Sequence, residues 1–232
     1  MRENNAGHTV NEQETERISN LFQQGLAKLG IEIPGQSTAA LVKYAQELIK
    51  WNRRVNLIAK NTSLQDVVEK HFLDSLTLLP VLEDYMEDQA FLLDVGSGAG
   101  FPGLVIKAVC PNRPVILLEP RQRRVSFLNH IVRVLNLTDI HVIPERTDDF
   151  DSFSHPSFAV ITGRAVADVT AFLGMVQALA IPGTLVVCMQ GLSGKKQWEC
   201  ERDNQHFSRV AIEHIHLPFS RADRYILLFR KE

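Results

Sequence analysis

Cysteine is scarce in this chain, the net charge is small, and long apolar runs are missing. The three cysteines, Cys110, Cys188 and Cys200, have neither metal-ligand nor redox spacing, and their odd number argues against a disulfide framework. No apolar run approaches the roughly 18 residues that a membrane span needs. The formal net charge of -2 excludes a strong basic field over the whole surface. We therefore expect a protein of the reducing cytoplasm without a membrane segment, in which any basic surface for a nucleic acid is local.

The 232 residues suffice for one α/β domain with a smaller appendage. Residues 1–16 are polar and acidic, unlike a signal peptide, and we predict a disordered tail over residues 1–14. Apolar residues at helical spacing then predict a helical region over residues 15–85 that packs on the core. Strand and helix patterns alternate over residues 86–232, which predicts an α/β domain there.

A glycine-rich stretch organises the second region. The apolar run 91–95 passes through a series of glycines into the apolar start of a helix, so the pattern is strand, tight turn, helix. Glycine lets backbone approach a ligand closely, and a helix N-terminus offers free N–H groups. A second apolar run, 115–118, ends in Glu119, at the position where an acid holds ribose hydroxyls in nucleotide-binding sheets.

Two cofactors fit these glycines, and one interpretation needs none. Gly98-x-Gly100-x-x-Gly103 satisfies the dinucleotide fingerprint. The overlapping Asp94-x-Gly96-x-Gly98-x-Gly100 fits the S-adenosylmethionine loop of class I methyltransferases. We favour the second, because the Asp94 carboxylate can meet the ammonium of a methionine moiety but would repel a pyrophosphate. A glycine turn without a ligand is the remaining alternative.

A polar trio lies within the apolar helical pattern of residues 64–82, which we expect Pro80 to end. His71, Asp74 and Ser75 stand at i, i+3 and i+4, so they share one helix face. A Ser-His-Asp hydrolase is not indicated, because one helix face cannot align nucleophile, base and orienting acid. One histidine and one aspartate are too few ligands for a metal. A hydrogen-bonded core network and a place in a functional cleft both remain open.

Polar residues also follow two later strands of the predicted sheet. Arg164 comes after the predicted strand 158–162, at the edge where ligands lie in open α/β sheets. An inward arginine there needs an anionic or aromatic partner. Thr147 and Asp148 follow the strand before it, in a turn that fits either adenine contacts or an acidic helix cap.

Arginines cluster at two places. Arg53 and Arg54 follow the second predicted helix, and Arg121, Arg123 and Arg124 open a later helix. Cations at a helix N-terminus interact unfavourably with the helix dipole, which indicates a role other than stabilising the helix. Solvated side chains and contacts with phosphates are both open.

His214-x-His216 places two imidazoles on one face of a predicted strand. Two histidines without further ligands are few for a metal site. We interpret the pair as strand surface and predict no metal site in this chain.

Together, these motifs resemble those of the bacterial ribosomal small-subunit RNA (guanine-N7) methyltransferase family, once named glucose-inhibited division protein B. The resemblance runs from about Leu41 to the C-terminus. The glycine stretch alone would indicate only the methyltransferase superfamily, whereas the ordered set is specific. The set comprises residues 51–57 (WNRRVNL), 71–75 (HFLDS), 94–103 (DVGSGAGFPG), 123–128 (RRVSFL) and Gly163-Arg164-Ala165.

The resemblance implies a class I methyltransferase, with a Rossmann-like, seven-stranded, mostly parallel sheet and an N-terminal helical extension. It implies that the chain methylates N7 of a guanine in small-subunit ribosomal RNA with S-adenosylmethionine as the cofactor. The expected cofactor-binding residues are Asp94, Gly96, Gly98, Gly100, Phe101, Glu119, Thr147, Asp148 and Arg164. The expected RNA-binding residues are Arg53, Arg54, His71, Ser75, Arg121, Arg123 and Arg124. We expect Asp74 and Arg164 to act in catalysis by positioning or electrostatics, with Asp74 favouring the positive charge that grows on the base.

Three positions depart from the family pattern. Gly163 stands where the family usually has serine, Gln190-Gly191 stands where it often has lysine-glycine, and Glu119 replaces a commoner aspartate. The first two departures keep open a ribosome-binding assembly factor with a vestigial pocket, and the dinucleotide fingerprint keeps open an NAD-binding oxidoreductase. The expected partner is small-subunit ribosomal RNA, within the subunit or an assembly intermediate, and the chain is expected to act as a monomer.

Overall fold

The computed structural model describes residues 5–85, 87, 90–151, 157–164, 168–192, 194, 196, 198 and 205–232. Seven strands form one sheet in the order β3-β2-β1-β4-β5-β7-β6. Strands β1 to β5 run parallel, and β7 runs antiparallel to both β5 and β6. The predicted seven-stranded, mostly parallel sheet is confirmed. The strands are β1 (Phe91–Val95), β2 (Val115–Leu118), β3 (Ile140–Ile143), β4 (Phe158–Arg164), β5 (Leu185–Gln190), β6 (Phe207–His216) and β7 (Asp223–Lys231).

Helices precede the sheet and cover its faces. Within the described residues, none is long and apolar enough to cross a membrane. The helices are α1 (Asn5–Leu29), α2 (Gly35–Asn52), α3 (Leu64–Val67), a π-helical segment (Val68–Leu73), α4 (Asp74–Leu76), α5 (Leu79–Tyr85), α6 (Gly103–Val109), α7 (Gln122–Val134) and α8 (Val169–Val176).

The central strands serve two cores, because successive side chains point to opposite faces of a sheet. Leu92 packs in the cluster that includes the N-terminal helices, α6 and α7, whereas Leu93 packs in the cluster that includes α8. Both side chains are fully buried. Strands covered on both faces read as continuous apolar runs rather than as alternating ones, which is why the sequence pattern revealed them.

The N-terminal helices pack through aromatic side chains at the level of the sheet's carboxyl edge. The rings of Phe22 and Tyr44 meet the edge of the Phe72 ring, with centroids 5.5 and 4.9 Å away. All three residues are fully buried. Aromatic pairs in this edge-to-face arrangement favour one relative placement of the helices.

A buried acid also fastens the last hairpin to these helices. Glu69 lies in the π-helical segment, and its Oε1 accepts hydrogen bonds from the backbone N–H groups of Phe219 and Ser220 at 2.6 and 2.7 Å. These two residues belong to the turn that joins β6 to β7. Among the described residues, Glu69 Oε2 has no hydrogen-bond partner.

Two boundaries differ from those expected. Helix α1 begins at Asn5, so residues 5–14 lie in a helix where the sequence predicts a disordered tail. Extending an existing helix adds one hydrogen bond for each residue fixed, so it needs no apolar periodicity of its own. Pro80 lies in the first turn of α5 rather than ending a helix, because a missing N–H costs nothing at that position. Ala165 of the motif Gly163-Arg164-Ala165 and the cysteine Cys200 lie outside the described residues.

Candidate active site

A pocket of about 770 Å³ opens at the carboxyl ends of the parallel strands. The chain passes from β1 outward to β2 and β3 and then returns to β4 on the other side of β1. This reversal leaves a crevice beside β1, which is the usual ligand site of open α/β sheets. The pocket is lined by the turn after β1, by the π-helical segment with α4 and by the start of β7.

The turn after β1 owes its shape to glycines in the left-handed region. The φ angles of Gly96, Gly98 and Gly100 are 69°, 62° and 91°, values that side chains disfavour. Gly100 also has a packing reason, because a Cβ there would lie 2.2 Å from Tyr44 Oη. The Gly96 N–H donates to the carbonyl of Leu118 at 2.8 Å, which ties the turn to the end of β2.

Glu119 is almost completely buried and stands at the end of β2, on the pocket wall. Its Oε2 accepts from the Gly98 N–H and its Oε1 from the Arg121 N–H, both at 2.9 Å. Arg124 Nη1 lies 3.5 Å from Oε2. These bonds fix the carboxylate, and Oε1, which accepts only one of them, keeps a second lone pair that can accept a hydrogen bond from a ligand hydroxyl.

Asp94 lies beneath the turn and is not among the residues that line the pocket. The residue is fully buried, and its Oδ2 accepts from the Gly103 N–H at 2.9 Å. The acid therefore binds the start of α6 to the end of β1. Burial raises the pKa of the Asp94 carboxyl to about 7. Its Oδ1 has no hydrogen-bond partner within the described chain, which leaves one acceptor under the turn.

Asp74 joins two arginines from distant strands. Arg164 Nη1 lies 3.2 Å from Asp74 Oδ2, and Arg224 Nε lies 3.0 Å from Asp74 Oδ1. Arg164 also donates to the carbonyl of Lys70 at 2.7 Å, and its guanidinium lies 5.0 Å from the centre of the Phe101 ring. The expectation of an anionic and an aromatic partner for Arg164 is confirmed. Two arginines against one carboxylate leave one positive charge, so this cluster suits an anion.

That charge argues against an electrostatic role of Asp74 in catalysis, which is one of the two roles expected for it. Both carboxylate oxygens already accept from guanidinium groups, and the residue is only 3% exposed. A carboxylate neutralised in this way cannot favour a cation forming on a substrate base. The geometry favours the other expected role, in which Asp74 positions Arg164 and Arg224.

His71 completes the cluster in its neutral form. Arg164 Nη2 lies 3.2 Å from His71 Nδ1, and because a guanidinium can only donate, Nδ1 accepts and the proton is on Nε2. Burial and the nearby Arg164 charge lower the pKa of His71 to about 3. The imidazole also stacks on Phe101, with ring centroids 5.1 Å apart and planes at 24°.

The helical region and the glycine turn meet at Tyr44. Its hydroxyl donates to the carbonyl of Ala99, and its ring lies parallel to that of Phe101 with centroids 5.9 Å apart. Phe101 in turn meets Phe72 edge to face. One wall of the pocket is thus packed directly against α2.

The structure brings about half of the expected site residues to one pocket. The pocket is lined by Gly96, Gly98, Phe101, Glu119, Arg164, His71, Asp74, Arg121 and Arg124. The pocket lining does not include Asp94, Gly100, Thr147, Asp148, Arg53, Arg54, Ser75 or Arg123.

The expected site residues that do not line the pocket lie elsewhere in the structure. Ser75 is buried and its Oγ donates to the carbonyl of His71 at 2.6 Å, so it supports the helix. Arg53 lines a separate groove between α1, α2 and α3. Thr147 and Asp148 lie in the turn after β3, one strand beyond Glu119. Arg54 and Arg123 are exposed.

Arg224 and Lys70 line the pocket, and the sequence pattern did not single them out. Arg224 lies near the start of β7, and the antiparallel pairing of β7 with β5 brings that end to the carboxyl edge of the sheet. Gln190 and Gly191, noted as departures, also line the pocket. Only the order of the last strands could have revealed Arg224.

The departure at Gly163 has a packing explanation. A Cβ at this position would lie 2.4 Å from Cε2 of Phe172, a buried residue of α8. The ring of Phe172 thus fills the space that a serine side chain would need. Glycine at position 163 is explained by its packing against Phe172, so it is not evidence for a vestigial pocket.

Comparisons with known proteins agree with this architecture. The family model described as rRNA small subunit methyltransferase G matches residues 37–226. Proteins named ribosomal RNA small subunit methyltransferase G from Desulfotalea psychrophila and Syntrophus aciditrophicus are 39% and 33% identical, over 91% of this chain in each case and over 97% and 88% of their own lengths.

Two solved structures share the fold at low sequence identity. The precorrin-6y C5,15-methyltransferase of Geobacter metallireducens is 13% identical with a TM-score of 0.51, covering 75% of this chain and 92% of that one. TrmN from Thermus thermophilus is 17% identical with a TM-score of 0.55, covering 78% of this chain and 53% of that one. These comparisons support neither the NAD-binding oxidoreductase nor the assembly factor. With its family model matched over residues 37–226, the chain belongs to the rRNA small subunit methyltransferase G family.

Proposed function

We propose that this protein transfers the methyl group of S-adenosylmethionine to N7 of a guanine in small-subunit ribosomal RNA. The observation that carries the proposal is the pocket in which the glycine turn, Glu119 and the positive cluster around Asp74 converge. Family membership supports the reaction class. We retain residues 15–85 as a helical region that shapes the RNA side and residues 86–232 as the methyltransferase domain.

The residues of the pocket fit the cofactor. The remaining lone pair of Glu119 Oε1 suits a ribose hydroxyl, and a carboxylate at the end of the second strand suits a nucleoside. The buried, unpaired Oδ1 of Asp94 suits a cationic group or a water at the base of the turn. We keep Thr147 and Asp148 as the expected adenine contacts, since their turn follows the strand next to β2.

The proposed reaction requires the protein to position the reacting groups and does not require a proton transfer. S-adenosylmethionine supplies a methyl group on a sulfonium, and guanine N7 carries a lone pair and no proton, so no general base is required. The residues of the pocket must therefore hold the two reacting groups in line. We assign Phe101, which contacts both His71 and Arg164, to the wall that sets this geometry.

The excess positive charge around Asp74 suits an anion. Arg164 and Arg224 are both held by that carboxylate, and His71 is neutral. A carboxylate of the methyl donor or a phosphate of the RNA would balance the cluster. We infer that Arg164 and Arg224 bind such an anion, with Asp74 positioning both.

The RNA approaches, in this proposal, on the side of Arg121 and Arg124, which line the pocket. Arg53 lines another groove, and we keep Arg53, Arg54 and Arg123 as expected contributors to a wider RNA surface, whereas the fully buried Ser75 supports the helix instead. Guanine N7 lies in the major groove, which is too narrow for side chains in an RNA duplex. We therefore propose a loop, bulge or unstacked guanine within the ribosomal subunit or an assembly intermediate, methylated in the cytoplasm by a monomer.

Two measurements on the full chain test the proposal. Isothermal titration with S-adenosylhomocysteine should give saturable binding, and titration with NAD should give none. Small ribosomal subunits from a strain lacking the gene should gain one methyl group on a guanine, and naked duplex RNA should be a poor substrate. Binding of NAD in place of S-adenosylhomocysteine, or subunits that stay unmodified, would contradict the proposal.

Arg164→Ala provides the variant for these assays. We expect it to weaken binding of S-adenosylhomocysteine or of the RNA, because the pocket loses a cation and its contact with Phe101. Arg133→Ala, which removes an exposed arginine of α7, is the matched control and should behave as the wild type. Normal affinity of Arg164→Ala for both ligands would show that this arginine is misassigned.

A further inference from the structure

A cluster of potential metal ligands lies on the last hairpin, outside the methyl-transfer pocket. His214 and His216 alternate along β6 and so share a face of the sheet. In the register of the hairpin, His216 pairs with Asp223 and His214 pairs with Tyr225 on β7. The sequence offered only the two histidines, and the fold adds the carboxylate of Asp223 as a third ligand.

The three side chains already converge on one point. Asp223 Oδ1 lies 2.7 Å from His214 Nε2 and 3.2 Å from His216 Nδ1. One ligand atom from each residue lies within 4.8 Å of the others. Both imidazoles are exposed at the surface, so an ion can reach them directly from solvent.

The rings are held in place by their neighbours. His214 stacks on Tyr225, with centroids 4.6 Å apart and planes at 7°. His216 meets His214 edge to face at 4.7 Å. Because the strands fix the backbone and these contacts orient the rings, little conformational freedom is left to lose on binding an ion.

We propose that His214, His216 and Asp223 form a binding site for a divalent transition metal ion such as Zn²⁺. Imidazole nitrogens with one carboxylate oxygen suit Zn²⁺, Ni²⁺ or Cu²⁺, whereas Mg²⁺ and Ca²⁺ prefer oxygen ligands alone. Metal–ligand distances of about 2.0–2.2 Å place two ligand atoms on one ion roughly 3–4 Å apart, so side-chain rotation suffices to seat it. Water would complete the coordination shell.

The site would cross-link the two strands of the hairpin beside the methyl-transfer pocket. Arg224 follows Asp223 in the chain, donates to its carbonyl at 3.0 Å and lines the pocket. A metal on Asp223 would therefore steady the strand end that presents Arg224. The proposed metal site stands on the hairpin geometry alone and does not depend on the proposed methyl transfer.

Zn²⁺ titration of the tag-free, chelator-treated full chain tests the site. We expect one saturable site at neutral pH, and Co²⁺ should give a visible absorption band when it occupies the same ligands. The double variant His214→Ala/His216→Ala should lose at least roughly tenfold in affinity, equivalent to about 1.4 kcal/mol. Asp223→Asn should weaken binding as well.

The matched control is His141→Ala, which removes an exposed histidine on β3 and should bind Zn²⁺ like the wild type. Far-ultraviolet circular dichroism checks that each variant is folded. Absence of saturable Zn²⁺ binding by the folded wild type would overturn the proposal. Equal affinity in the wild type and the folded double variant would overturn it too.

Discussion

Arg224 Nε lies 3.0 Å from Asp74 Oδ1, an ion pair that joins the last strand of the sheet to the N-terminal helices across 150 positions of sequence. The same carboxylate holds Arg164 at the end of β4. One buried acid thus sets the position of both arginines on the pocket wall.

Replacing this acid tests its positioning role. Asp74→Asn removes the charge that the two arginines share, and breaking a buried pair leaves uncompensated charge, so we expect a loss of stability of about 2–4 kcal/mol in urea unfolding. Affinity for S-adenosylhomocysteine should fall as well. Asp66→Asn, at an exposed ion pair with Lys70, is the control and should change little. Unchanged stability and affinity in Asp74→Asn would refute the positioning role.

Asp94 should give stability a particular dependence on pH. Burial raises the pKa of its carboxyl from 3.8 to about 7, so the native state holds a proton that the unfolded chain releases between these values. Its contribution is complete below the unfolded pKa and is lost as the pH rises through about 7. The loss is at most on the order of 4 kcal/mol, at about 1.4 kcal/mol per pKa unit.

The difference between wild type and Asp94→Asn in urea unfolding isolates this effect. That difference should fall with rising pH over this window, whereas the exposed control Asp149→Asn should show no such slope. A difference that stays constant across the window would mean that Asp94 is not protonated in the native state.

Gly163 should resist a side chain because of Phe172. In Gly163→Ala the new methyl group would lie 2.4 Å from the ring, and overpacking of this kind costs about 1–3 kcal/mol. The cost should shrink in a Phe172→Leu background, which a double-mutant cycle of urea unfolding measures. Gly174→Ala, in the same helix as Phe172 but with no other part of the described chain close to an added Cβ, should instead stabilise by about 0.5–1 kcal/mol. Additive costs in the cycle would show that Phe172 is not the cause.

Tyr44 should matter to the cofactor although it lies in a different region of the chain. Tyr44→Phe leaves the buried carbonyl of Ala99 without this donor, which costs about 1–3 kcal/mol and loosens the glycine turn. Affinity for S-adenosylhomocysteine should therefore fall severalfold. The exposed Tyr85→Phe is the control and should leave both quantities unchanged. Wild-type affinity in Tyr44→Phe would show that the turn keeps its shape without this bond.

Local patterns made much of the fold predictable. The turn from Asp94 to Gly103 and the position of Glu119 could be predicted from local sequence, because strand, turn and helix each have a short-range pattern. The same spacing could not show that the Gly103 N–H occupies the Asp94 carboxylate. That bond depends on the path of the chain through the turn.

Contacts between residues far apart in the sequence could not be predicted from local patterns. Arg224 reaches the pocket only because β7 runs antiparallel beside β5, and Asp223 meets the two histidines only through the register of the hairpin. The fit between Gly163 on β4 and the Phe172 ring on α8 is likewise a contact between distant parts of the sequence. Each of these depends on tertiary packing, whereas the helix start at Asn5 depends on the low cost of extending a helix.

The bond between Glu69 and the turn at Phe219 and Ser220 has a consequence during synthesis. A growing chain exposes its N-terminal helices long before residue 219 leaves the ribosome, and until then the Glu69 carboxylate has no backbone donors to meet. Since domains fold as their residues emerge, we expect the Glu69 carboxylate to stay hydrated until residues 219 and 220 have left the ribosome. The N-terminal helices therefore gain these two hydrogen bonds only after the hairpin of β6 and β7 has been synthesised.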